Sequence, residues 1–67
     1  MKSVLNLSVI HTMEDVNIIR QAVSSNEGVI ACEINREKSE VSVVYYGQFL
    51  SIDVIIDSIE ELGYTVI

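Results

Sequence analysis

The chain has 67 residues, the size of one small domain, and its 49% hydrophobic and 21% charged residues are globular values rather than those of a disordered chain. Ten acidic against four basic residues give a formal charge of −6, and Lys2, Arg20, Arg36 and Lys38 form no run or stripe, which excludes nucleic acid and anionic membrane as natural partners. The lone Cys32 excludes an internal disulfide framework, and no apolar run nears the ~20 residues that cross a bilayer.

The start M1-K2-S3-V4 leads straight into patterned sequence, without the features of a signal peptide, so a cytoplasmic protein with no membrane insertion is the expectation. Over residues 4–9, Leu5, Leu7 and Val9 alternate with Asn6 and Ser8, the period-2 signature of a half-buried first strand. From about Asp15 to Ser24 the period changes. Val16, Ile19 and Val23 recur at spacings of three and four with Ala22 beside them, Asn17, Arg20 and Gln21 face away, and Ile18 falls toward the edge. This predicts an amphipathic helix with Thr12 as N-cap and with Glu14 and Asp15 in the first turn, where negative charge suits the helix dipole. Gly28 supplies the permissive backbone at its exit.

Residues 29–34 and 40–46 read as two strands of an antiparallel hairpin joined by the polar segment 35–39. Ile30, Cys32 and Ile34 share one parity, which predicts that all three point inward and that Cys32 packs as a small hydrophobe rather than as a reactive thiol. Residues 51–63 read as a second helix, with Ser51 as N-cap, a broad apolar face of Ile52, Ile55, Ile56, Ile59 and Leu62, and Gly63 as its stop. Tyr64 to Ile67 then make a short terminal strand. The order β-α-β-β-α-β predicts a single α+β domain over residues 1–67. The fold expected is a ferredoxin-like sandwich, with a four-stranded antiparallel sheet and two helices on one face.

Nearly the whole chain resembles the heavy-metal-associated domain of copper chaperones, mercury-binding proteins and P-type ATPase amino-terminal modules. The residues that carry the resemblance are G28-V29 entering the second strand, E40-V41-S42-V43 in the third, and above all the closing run IIDSIEELGYTV at 55–66. Members of that family carry a Gly-Met-x-Cys-x-x-Cys run after the first strand. Alignment through residues 16–23 puts Val9 and Ile10 at the Gly and Met, and Thr12 and Asp15 at the two cysteines. Two thiolates at that spacing clamp Cu(I) or Zn(II), whereas a hydroxyl and a carboxylate are poor ligands for a soft ion. The resemblance also implies that Tyr64 lies beside this loop, packing on Ile10 and Met13, and that docking uses the loop end.

The expectation is therefore a small non-enzymatic domain with a degenerate metal site, whose interaction loop is His11, Thr12, Met13, Glu14, Asp15 and Tyr64. Its expected partner is a basic protein surface, such as a metal-transporter domain, met by Glu14, Asp15, Glu60 and Glu61. Glu60 and Glu61, adjacent on a helix, diverge and form a solvated face rather than a catalytic pair. One alternative is a loop site built from His11, Met13 and Asp15 that binds a transition-metal ion weakly. Another is a small-molecule-sensing dimer of the same topology. A monomer or a weak homodimer is expected, the latter through an edge strand at residues 29–34 or 65–67.

Overall fold

In the computed structural model, which describes residues 1–67, the elements are β1 (Lys2–Asn6), α1 (Met13–Ser24), β2 (Val29–Asn35), β3 (Glu40–Tyr45) and α2 (Ile52–Glu60). β3 is the central strand, antiparallel to both neighbours, in the order β1-β3-β2. Pairing of Ser3 with Val43 and of Leu5 with Val41 sets the register of β1, so alternate residues of the two strands fall on the same face. On that face Leu5, Val41, Val43 and Tyr45 are buried against Val16, Ile19 and Val23 of α1 and Ile55 and Ile59 of α2. All twelve buried residues are hydrophobic, and the hydroxyl of buried Tyr45 is satisfied by Ser3 Oγ at 3.0 Å.

The first strand starts two residues earlier than its alternation predicts. The Met1 ammonium donates to the Tyr45 carbonyl at 2.7 Å and Tyr45 N–H donates to the Met1 carbonyl at 2.9 Å, extending the pairing to the start of the chain. Its end also moves, because Leu7 N–H donates to the Ser39 carbonyl at 2.8 Å and the chain then leaves the sheet.

The fourth strand is reduced to a single bridge, Leu7 with Val66, flanked by Ser8 N–H to Thr65 O at 3.0 Å and Ile67 N–H to Asn6 O at 2.8 Å. The sheet therefore has three strands rather than the expected four.

Two further expectations are corrected. A bulge between Val29 and Ala31 inserts Ile30 as an extra residue, so Ile30 is 55% exposed while Cys32 and Ile34 keep the inward parity, half-buried against the core. The second helix closes at Glu60 rather than Gly63. Leu62 N–H bonds back to Ile59 O at 3.1 Å and Gly63 N–H to Glu60 O at 2.9 Å, a tighter turn that carries Leu62 off the apolar face. Gly63 then takes φ +99°, a left-handed conformation open to glycine at little cost. Ser51 does precede α2, but its side chain makes no capping bond.

Asn26 ties the two helices together. Its side-chain amide donates to the Val23 carbonyl at 3.2 Å and to Ser58 Oγ at 3.0 Å, closing the end of α1 against the middle of α2. With Ile19 fully buried between helices and sheet, Ile19→Ala should destabilise the fold by about 2–5 kcal/mol. Ile30→Ala at the exposed bulge should stay within about 0.5 kcal/mol of the parent. Urea unfolding midpoints of the two variants measure both.

Candidate functional site

Six residues, Leu7 to Thr12, join β1 to α1, and the helix begins where Thr12 can cap it. Thr12 Oγ1 accepts from Asp15 N–H at 3.1 Å, and the Asp15 side chain reaches back to accept from Thr12 N–H at 3.1 Å, a reciprocal capping box. The same carboxylate oxygen, Oδ2, also accepts from His11 N–H at 3.1 Å. The other oxygen, Oδ1, accepts from the Tyr64 hydroxyl at 2.5 Å, across 49 residues of sequence. One half-buried carboxylate thus gathers the loop, the start of α1 and the exit from α2.

A second anchor comes from the β2–β3 turn. Ser39 holds a left-handed backbone at φ +53°, unusual for a residue with a side chain. Its carbonyl accepts from Leu7 and its Oγ from Ile10 N–H at 3.3 Å, so the start and the middle of the loop are both tied to it. Ile10 is buried, which drives the middle of the loop into the core, whereas Val9 and Met13 are exposed.

The electrostatics follow from these contacts. The Tyr64 hydroxyl bond first, and then the Thr12 amide, favour the charged carboxylate and hold Asp15 below the usual range; burial opposes them, and the His11 amide adds a lesser lowering. Tyr64 is pushed up to about 12, chiefly because its proton is held by Asp15, with burial and the negative charges of Asp15 and Glu14 adding to the effect. Burial raises the Cys32 thiol, only partly offset by Arg20, so a thiolate is disfavoured there.

Among the residues predicted for the loop, Asp15, Thr12 and Tyr64 come together, and His11 joins them through its backbone amide rather than its imidazole. Met13 is 56% exposed and lines an open groove with Ile34, Asn35, Arg36 and Glu40. Tyr64 is half-buried against the core to which Ile10 belongs. Nowhere do three or more His, Cys, Asp or Glu side chains gather as a metal ligand set. The two positions aligned with the cysteines present hard oxygens already engaged within the chain, a poor fit to a soft ion. Sequence reasoning missed Ser39, which carries no signal in a polar turn. It also missed the Tyr64 to Asp15 bond, although the Thr-x-x-Asp spacing did foreshadow the box.

The architecture matches several solved metal-handling proteins. CopZ metallochaperone superposes with a TM-score of 0.97 at 25% identity, over 100% of both chains. The chain has a heavy-metal-associated, copper-chaperone-like fold. Oxidized MerP from Ralstonia metallidurans CH34 matches with a TM-score of 0.93 at 16% identity, over 100% of this chain and 93% of its own. The yeast copper transporter domain CCC2A matches at 0.89 and 23%, over 97% of this chain and 89% of its own. No protein-family model and no curated protein matches the chain. No helix of this heavy-metal-associated fold is long and apolar enough to cross a membrane.

Two outcomes follow from the carboxylate. Because Asp15 titrates lower in the folded chain than its ordinary 3.8, its contribution is complete above that value and is lost as pH falls through the depressed folded value. Urea midpoints of parent and Asp15→Asn should therefore converge in acid. At the other extreme Tyr64, raised from 10.0 to about 12, contributes below pH 10 and loses that contribution as pH climbs toward 12, a loss that Tyr64→Phe should abolish. Thr12→Ala, which removes the capping oxygen, should cost about 1 kcal/mol at neutral pH.

Proposed function

We propose that this chain is a non-enzymatic module of heavy-metal-associated fold with a degenerate metal site, and that it works by docking its loop end on a partner protein. The reading is carried by one observation: Thr12 and Asp15 stand at the two aligned thiolate positions and spend their oxygens on each other's amides and on Tyr64. A ligand set of that kind is closed before an ion arrives. The exposed residues His11, Thr12, Met13 and Glu14 form the outer surface of the interaction loop. Glu60 and Glu61, also exposed, end α2 near Tyr64.

The partner class is a basic protein surface such as a metal-transporter domain. Solved neighbours include a copper binding domain from HMA7, a P-type ATPase, and the copper transporter domain CCC2A, which supports a partner drawn from metal transport. Acidic residues facing a basic patch favour encounter and register more than raw affinity.

Titration of the reduced protein with Cu(I) against a chromogenic chelator tests the proposal, with amide NMR shifts of residues 10–16 as the local readout. The parent should leave the ion with the chelator and its loop resonances in place. Equimolar capture with shifts at His11 and Met13 would instead establish the unconventional loop site. The paired substitution Thr12→Cys and Asp15→Cys should turn the same fold into an equimolar Cu(I) binder, because the backbone already superposes on a metallochaperone with a TM-score of 0.97.

A further inference from the structure

Residues 64–67 are held to the fold more lightly than the elements before them. The buried residues all lie between Leu5 and Ile59, so nothing beyond α2 is locked in the core. Tyr64 and Val66 are partly buried against it, while Thr65 and Ile67 are exposed. The backbone of the segment makes two hydrogen bonds, Ser8 N–H to Thr65 O at 3.0 Å and Ile67 N–H to Asn6 O at 2.8 Å, on either side of the bridge between Leu7 and Val66. It departs from Gly63, at φ +99°, where nothing lies within 4 Å of the place a Cβ would occupy. An open pivot, two backbone bonds and no fully buried side chain make a piece that opens at less cost than the sheet and helices unfold.

A side chain closes it. The Tyr64 hydroxyl on Asp15 Oδ1 is the one side-chain hydrogen bond of the segment, and the ionised acceptor makes it a strong one. When that bond breaks, Asp15 is still fixed by its other oxygen, which accepts from His11 and Thr12, so the start of α1 does not have to come undone. The loop keeps a separate anchor as well. Leu7 N–H and Ile10 N–H are bonded to Ser39, on the β2–β3 turn, whereas Ser8 N–H is bonded to Thr65. The adjacent amides of Leu7 and Ser8 therefore report on two different attachments.

We infer that residues 64–67 form a strap that opens as a unit about Gly63, with the Tyr64 hydroxyl on Asp15 as its latch. Open, the strap bares the Ser8 amide and the Asn6 carbonyl and turns Asp15 Oδ1 to water beside the exposed Glu14. The closed strap withholds that oxygen from the loop surface. Only this consequence for a basic partner rests on the docking role proposed above; the strap itself is a property of the isolated chain.

Amide hydrogen exchange followed by NMR on the metal-free protein at neutral pH tests it, with heteronuclear NOE values of residues 65–67 as the measure of their mobility. In the parent, Ser8 should be at least about tenfold less protected than Leu7, because the strap opens without the core. Tyr64→Phe, which keeps the ring and removes the oxygen, should lower the protection of Ser8 by about a further tenfold and reduce the NOE at Thr65, Val66 and Ile67. Ile19→Val, a mild loss in the core, should lower the protection of Leu7 about threefold to tenfold and leave that of Ser8 unchanged. A parent in which Ser8 is as protected as Leu7 overturns the strap, as does an Ile19→Val protein in which both amides lose protection equally. Ser8 exchange that does not respond to Tyr64→Phe overturns the latch. None of these readings depends on an ion or a partner, so the Cu(I) titration of the loop stands or falls by itself.

Discussion

One carboxylate organises the loop end of this molecule. Asp15 accepts from two consecutive backbone amides that would otherwise be orphaned at a helix start, and from a phenol that arrives from the last segment of the chain. Charge-assisted bonds of this kind are stronger than neutral ones, and these three converge on one group. The loop, the entry to α1 and the exit from α2 are consequently parts of a single arrangement.

Much of the fold could be read directly from the residues, and the reasons are local. Alternation in the segment from Glu40 to Tyr45 gives strict burial of Val41, Val43 and Tyr45, because the pleat has period two and only one face is covered. The three- and four-residue spacing of Val16, Ile19 and Val23 places all three in the core for the same kind of reason. Ile30 misled because parity counting assumes an unbroken ladder, and a bulge shifts the count by one. The terminal strand misled because a β-rich composition says nothing of how many partners a four-residue segment will find.

The candidate site was legible in part. Thr12 as a cap and Asp15 in the first turn are short-range features, and short-range chemistry is written in spacing. That the Tyr64 hydroxyl reaches Asp15 is a matter of tertiary geometry across 49 positions, and nothing in the run E60-E61-L62-G63-Y64 announces it. The resemblance placed Tyr64 at the loop end of the molecule, where its hydroxyl bonds Asp15, a contact that the packing expected of its ring on Ile10 and Met13 did not foretell.

Ser39 has one more implication. Its carbonyl and hydroxyl both serve the β1–α1 loop, while its own left-handed backbone is what lets the β2–β3 turn close. The turn and the loop therefore behave as one mechanical part. Glycine would suit the backbone angle and asparagine would tolerate it, yet neither brings a hydroxyl on so short a stem. The position thus leaves evolution little room for exchange.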